Sequence, residues 1–188
     1  MGMHGEEQFL LHGKAAGMNV YDFWRFAYSD LNADPRDDVA EYLVSRALGI
    51  EKPFNKENWT PYDISYRGKR IEVKCTGYFQ TWRTDSNVCQ HRIFSIRKAY
   101  HPDTGVFERQ NDVYVFCLLL GNTREEANVL DLENWKFYIV PTLKIDAICG
   151  DNKTISFSRI KNLGFDACGF EEIKSRIDAE LDNMEKRI

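Results

Sequence analysis

Between Tyr62 and Trp82 the chain reads YDISYRGKRIEVKCTGYFQTW, and three of these residues have the types and spacing for phosphate chemistry: Asp63, Glu72 and Lys74. The first part of the stretch predicts a β-hairpin turning at RGKR. Side chains on a strand alternate faces, so Ile71, Val73 and Cys75 point one way while Glu72 and Lys74 point the other. A turn centred on RGKR sets Asp63 opposite Glu72 across the ladder. Two carboxylates so placed repel each other, and a divalent cation is the natural resolution, with the Lys74 ammonium beside it. The ordinary alternative is a solvent-facing Glu–Lys pair on a surface hairpin, worth little for stability.

The elements that must position these groups are legible from periodicity. Upstream, Val20, Phe23, Trp24, Ala27, Tyr28 and Leu31 recur at helical spacing, and residues 1–19 read as a loose N-terminus. A second helix is predicted over about 35–48: Asp34 can cap it, Pro35 suits its first position, Asp37 and Asp38 favour its start, and Gly49 its end. Glu41 flanks the buried stripe of this helix, at an edge from which it can reach the sheet. The hairpin spans about 62–75, and 76–90 is irregular and polar. A short strand covers about 92–96, followed by a loop to Asn111. VYVFCLLL at 113–120 is apolar throughout, as a strand buried on both faces is. WKFYIVPT predicts another strand ended by Pro141, then come a short helix at 142–149 and an extended segment at 154–160. FEEIKSRIDAELDNMEKRI closes the chain as an amphipathic helix. Helices first, then a sheet, then a closing helix make one α/β domain, bordering on α+β.

Composition narrows the function classes. With 188 residues, 43% hydrophobic and 13% aromatic, the chain can build a sizeable core. No apolar run approaches the ~20 residues of a membrane helix, and the N-terminal residues show no signal-peptide pattern, so a cytoplasmic protein without a membrane partner is expected. The five cysteines lack CxxC spacing and read as reduced thiols. The net charge of −4 argues against a protein that coats nucleic acid nonspecifically. Yet residues 61–110 hold nine Lys/Arg against five Asp/Glu, a local +4 within a chain whose remainder is −8. A basic middle suits a polyanion; a sugar-cleaving pair of carboxylates suits it poorly.

Glu41 on the first core helix, then Pro61-x-Asp63, then Glu72-Val73-Lys74, resembles the PD-(D/E)XK nuclease superfamily over about residues 35–120. Tyr62 separates Pro61 from Asp63, a departure from the superfamily's signature. The wider pattern is similar to small bacterial proteins of that fold without an established role. The resemblance implies a restriction endonuclease-like core, a central mixed β-sheet flanked by helices. It implies that Asp63, Glu72, the Val73 carbonyl and Glu41 hold Mg²⁺, for which Mn²⁺ can substitute. Lys74 would orient the attacking water and offset charge on phosphorus, making a Mg-dependent endonuclease acting on DNA in preference to RNA. Gln80 falls where similar proteins place a polar residue near the site. Lys69, Arg70 and Arg83, with Arg67, could track a phosphate backbone, and Tyr78 and Trp82 could stack on bases. The alternative from another class is a catalytically silent nucleic-acid-binding or assembly protein that keeps the fold. A domain this small leaves little room for a recognition module, so specificity would come from a homodimer or a partner.

Overall fold

The computed structural model describes residues 4–33, 35–50, 60–80 and 92–186. The chain opens with a hairpin, β1 (Gln8–Leu11) and β2 (Lys14–Asn19), followed by helices α1 (Val20–Ala27) and α2 (Arg36–Ala47). Next come β3 (Ile64–Tyr66), β4 (Lys69–Gly77), β5 (Ile93–Ser95), β6 (Ala99–His101), β7 (Val106–Glu108) and β8 (Val113–Leu119). The remainder is β9 (Trp135–Pro141), α3 (Thr142–Cys149), β10 (Thr154–Ser156), α4 (Phe157–Asn162) and α5 (Ile173–Glu185).

The architecture is mixed α/β. A four-stranded sheet in the order β3-β4-β8-β9 has β4 and β8 parallel at its centre and antiparallel strands at both edges. Alternation along these strands divides the core in two. Ile71, Val73, Val113, Val115, Cys117, Phe137 and Ile139 face α2 and α5. Tyr114, Phe116, Leu118, Tyr138 and Val140 face a second layer built from α3, α4 and the β5–β10 pair. Every residue of β8 is buried, as its unbroken apolar run predicts.

Several boundaries differ from the sequence expectation. Residues 8–19, read as part of a loose terminus, form the β1–β2 hairpin, its tight turn made by His12 and Gly13, both at positive φ. The loop expected before β8 contains a second small hairpin, β6–β7. The extended segment expected at 154–160 ends at Ser156, whose side chain accepts the Arg159 amide and starts α4 instead. Pro35 occupies the cap position of α2, and Asp34, expected to cap, lies outside the described residues.

Candidate active site

The turn that sets the site is Arg67–Gly68, with both residues at positive φ, the geometry of a tight hairpin turn. It pairs Ile64 with Ile71, Ser65 with Arg70 and Tyr66 with Lys69. Asp63 therefore stands one step beyond the ladder, beside Glu72. There the regular pairing breaks. The Asp63 amide donates to the Ile71 carbonyl at 3.1 Å, and the Val73 amide donates to Asp63 Oδ2 at 2.7 Å. The edge of β4 past Ile71 is thus met by a side chain rather than by β3 backbone.

Glu72 and Lys74 share the sheet face of Tyr114 and Phe116, their register partners on β8. Their side chains form an ion pair and are 17% and 30% exposed, so the pair is sheltered but open to a substrate. The Glu72 carboxyl is held above the usual range for a glutamate. Burial is the largest cause, the neighbouring Asp63 adds to it, and Lys74 opposes both. Glu41, half-buried on α2, presses in the same direction more weakly. Asp63, Lys74 and Glu41 are therefore each within electrostatic reach of Glu72. Val73, expected to lend its carbonyl, sits between Glu72 and Lys74 with its amide fixed by Asp63.

This donor set fits Mg²⁺. Its groups are hard carboxylate oxygens, and the Asp63 charge adds to burial in raising the Glu72 carboxyl. Among the described residues, no three His, Cys, Asp or Glu side chains group closely enough to hold an ion. Mg²⁺ commonly needs only one or two carboxylates, completing its shell with water and phosphate oxygens. Asp63 and Glu72 supply two.

The expected nucleic-acid contacts fare differently. Gln80 is buried: its Oε1 accepts from Arg36 at 3.3 Å and its Nε2 donates to the Gly77 carbonyl at 3.0 Å. A Cβ on Gly77 would lie 3.2 Å from the Arg36 guanidinium, so glycine lets this arginine lie across the end of β4. Gln80 thus belongs to a buried polar clasp between α2 and β4. Arg70 is turned to Asp112, which also takes the Arg70 amide at 2.8 Å. Arg67 is taken by Asp178, Asp182 and Glu185 on α5. Lys69 lies half-buried at the hairpin end. The Tyr78 ring is covered by the Arg92 guanidinium, 4.1 Å from its centroid, and so presents that face to a cation rather than to a base. Arg83 and Trp82 lie outside the described residues.

Two residues of the neighbourhood were not singled out from the sequence. Tyr114 is in register with Glu72, and its hydroxyl is pushed well above the usual range by burial and then by the Glu72 charge. Arg109 also interacts with Tyr114 and has a fully buried side chain. Its Nε donates to the Ile96 carbonyl at 2.8 Å, and its other nitrogens to Asp146 and to the carbonyls of Gly150 and Asn152, closing the C-terminal end of α3. Tyr114 is the one hydroxyl in the β8 run, a visible signal. What hides its role is the parallel β4–β8 register, which the sequence does not encode locally. Among the described cysteines, burial pushes the Cys75 thiol to about 12 and Cys168 to about 11, far from a reactive thiolate.

No protein-family model, curated protein or solved structure matches the chain. No helix among the described residues is long and apolar enough to cross a membrane.

Proposed function

We propose that the protein is a metal-dependent phosphodiesterase of restriction endonuclease-like architecture, hydrolysing nucleic acid, with DNA preferred to RNA. The observation that carries this reading is the Glu72 carboxylate, only 17% exposed, set beside Asp63 by the hairpin and paired with Lys74 on one sheet face. Carboxylates set close together in a sheltered place cluster at functional sites. Asp63 and Glu72 would hold Mg²⁺, with Glu41 lending charge from α2 and the Val73 carbonyl close by. The bound ion would polarise the phosphate and acidify a water. The Lys74 side chain exchanges its Glu72 partner for the scissile phosphate and offsets the charge that grows on its oxygens. Water adds to phosphorus, the ester P–O bond breaks, and the alkoxide leaves with a proton.

One observation favours the second reading, a catalytically silent nucleic-acid-binding or assembly protein. Lys74 is already matched by Glu72, and Asp63 Oδ2 by the Val73 amide, so part of the trio is internally satisfied. Purified protein with Mg²⁺ or Mn²⁺ and labelled DNA and RNA separates the two. Cleavage that disappears in Glu72→Gln and Lys74→Ala, with circular dichroism unchanged, establishes the nuclease. Equal residual cleavage in both variants marks a contaminant and defeats it. A wild type that is inert yet shifts DNA in a gel establishes the silent binder.

A further inference from the structure

The N-terminal arm carries more apolar surface than it covers. Its own scaffolding is well defined. Asn19 caps α1 through the Asp22 amide at 2.8 Å, the Val20 and Tyr21 amides bond back to the Glu7 and Gly5 carbonyls, and Phe9 packs edge-on against Phe23. Beyond these contacts all four residues of β1 are exposed, and of α1 only Val20 is buried. Leu10, Leu11 and Phe26 are 67%, 63% and 81% exposed, and Met18, Tyr21 and Phe23 are each half exposed or more. At about 200 Å² for a large side chain, these six present on the order of 700 Å² of apolar surface. Taken over both faces of the arm, that total approaches the ~800 Å² that each partner contributes to a standard interface. A two-stranded hairpin exposed in this way is marginal by itself.

The two edges of the hairpin differ. The register pairs Gln8 with Asn19 and Leu10 with Ala15, so Ala16, Gly17 and Met18 bulge opposite the single residue Phe9. That bulge, with Lys14, blunts the outer edge of β2 as natural edge strands are blunted. The outer edge of β1, QFLL, has no charge, proline or bulge. The two-residue turn also fixes its parity: Leu11 bonds inward to Lys14, so the Leu10 amide and carbonyl point away from β2.

We infer that this arm is a homodimer interface, in which β1 pairs antiparallel with β1 of a second copy about a two-fold axis near Phe9. A self-complementary occupant follows from the strand itself. Antiparallel pairing about Phe9 sets Leu10 opposite Gln8 and Leu11 opposite Glu7 of the second copy, with no like charges opposed. It also sets His12 opposite Glu6 of the second copy, an attractive pair when the histidine is protonated. The result is a four-stranded sheet with both α1 helices on one face, where Phe9, Leu11 and Phe23 of each copy meet.

Sedimentation velocity of the full chain at micromolar concentration tests this, alongside hydrogen exchange read at the Leu10 amide. The expected result is a dimer with a protected Leu10 amide. Leu10→Pro removes an N–H that the hairpin does not use and should weaken dimerisation at least about tenfold, the equivalent of one or more lost main-chain bonds. Met18→Lys, on the blunted edge, should leave the dimer in place. The core lies outside the arm, so the thermal transition of the monomeric variant reports that the body stays folded. A wild type that sediments as a monomer overturns the proposal, whether its arm is bare, covered by its own chain or bound to anionic vesicles. So does a Leu10→Pro chain that dimerises as tightly as the wild type.

Discussion

Asp63 Oδ2 accepts the Val73 amide at 2.7 Å, so a carboxylate takes the place in the β4 ladder where a strand carbonyl would stand. This fixes the acid one residue before β3 begins and beside Glu72. Its position then depends on the hairpin register rather than on side-chain flexibility. The bond also separates two roles of Asp63, one in the fold and one in the chemistry.

Asp63→Asn keeps an oxygen acceptor for the Val73 amide and should change stability by less than about 1 kcal/mol. Asp63→Ala leaves that amide without its acceptor and should cost about 1–3 kcal/mol. Both should abolish metal-dependent cleavage, because neither offers a carboxylate. Urea unfolding and the cleavage assay together test this. An active Asp63→Asn enzyme would remove Asp63 from the chemistry and leave it a structural residue.

Glu72 sets a pH dependence of definite sign. Its carboxyl is raised in the folded state by burial and by Asp63, so the folded chain binds that proton more tightly than the unfolded chain does. The contribution is favourable below the ordinary glutamate value of about 4.3 and is lost as pH rises through the raised value. Glu72→Gln removes the cost, and at neutral pH the variant should melt above the wild type, the difference closing in acid. Mg²⁺ should raise the melting temperature of the wild type and leave that of the variant unmoved. A variant less stable than the wild type at neutral pH would show that the Lys74 pair outweighs burial.

The sequence makes the hairpin and its chemistry readable because both are local. The turn residues Arg67 and Gly68 fix the register, and two-residue alternation then separates Glu72 and Lys74 from Ile71 and Val73. Burial of β8 is equally legible from its unbroken apolar run. What escapes the sequence is long-range. That Glu72 lies beside Tyr114 depends on a parallel pairing across more than forty residues. That Arg67 is spent on Asp178 and Asp182 depends on where α5 docks. A basic turn reads the same whether its partner is a phosphate or a helix at the far end of the chain.

Arg109 is the structural residue whose loss should be felt most. Its buried guanidinium serves Asp146 and three carbonyls that tie β5, α3 and the turn after it together. Arg109→Ala leaves the buried Ile96 carbonyl without a donor, while Asp146 and the Gly150 and Asn152 carbonyls can turn to water, and should cost about 1–3 kcal/mol. Arg109→Lys supplies three donors without the planar fork and should recover only part of this. Thermal denaturation of the two variants decides it. A loss below about 1 kcal/mol for Arg109→Ala would mean that water replaces the clasp.

Lys69 and Arg67 stand two residues apart at the hairpin turn, and the salt dependence of nucleic-acid binding should tell them apart. Each phosphate neutralised by a cationic side chain releases counterions, so removing a true contact lowers the slope of log affinity against log salt by about one. Arg67 is already matched by three carboxylates of α5, whose side-chain bonds hold its charge in place. Arg67→Ala should therefore leave the slope unchanged and cost only a little stability, because the cluster is exposed to solvent. Lys69→Ala should lower the slope by about one and leave stability nearly unchanged. Fluorescence anisotropy of a labelled duplex across a salt series, with EDTA present to prevent cleavage, measures both. Equal slopes for wild type and Lys69→Ala would take this turn out of the nucleic-acid interface. A fall in slope for Arg67→Ala would mean that α5 yields the arginine to the phosphate when substrate binds.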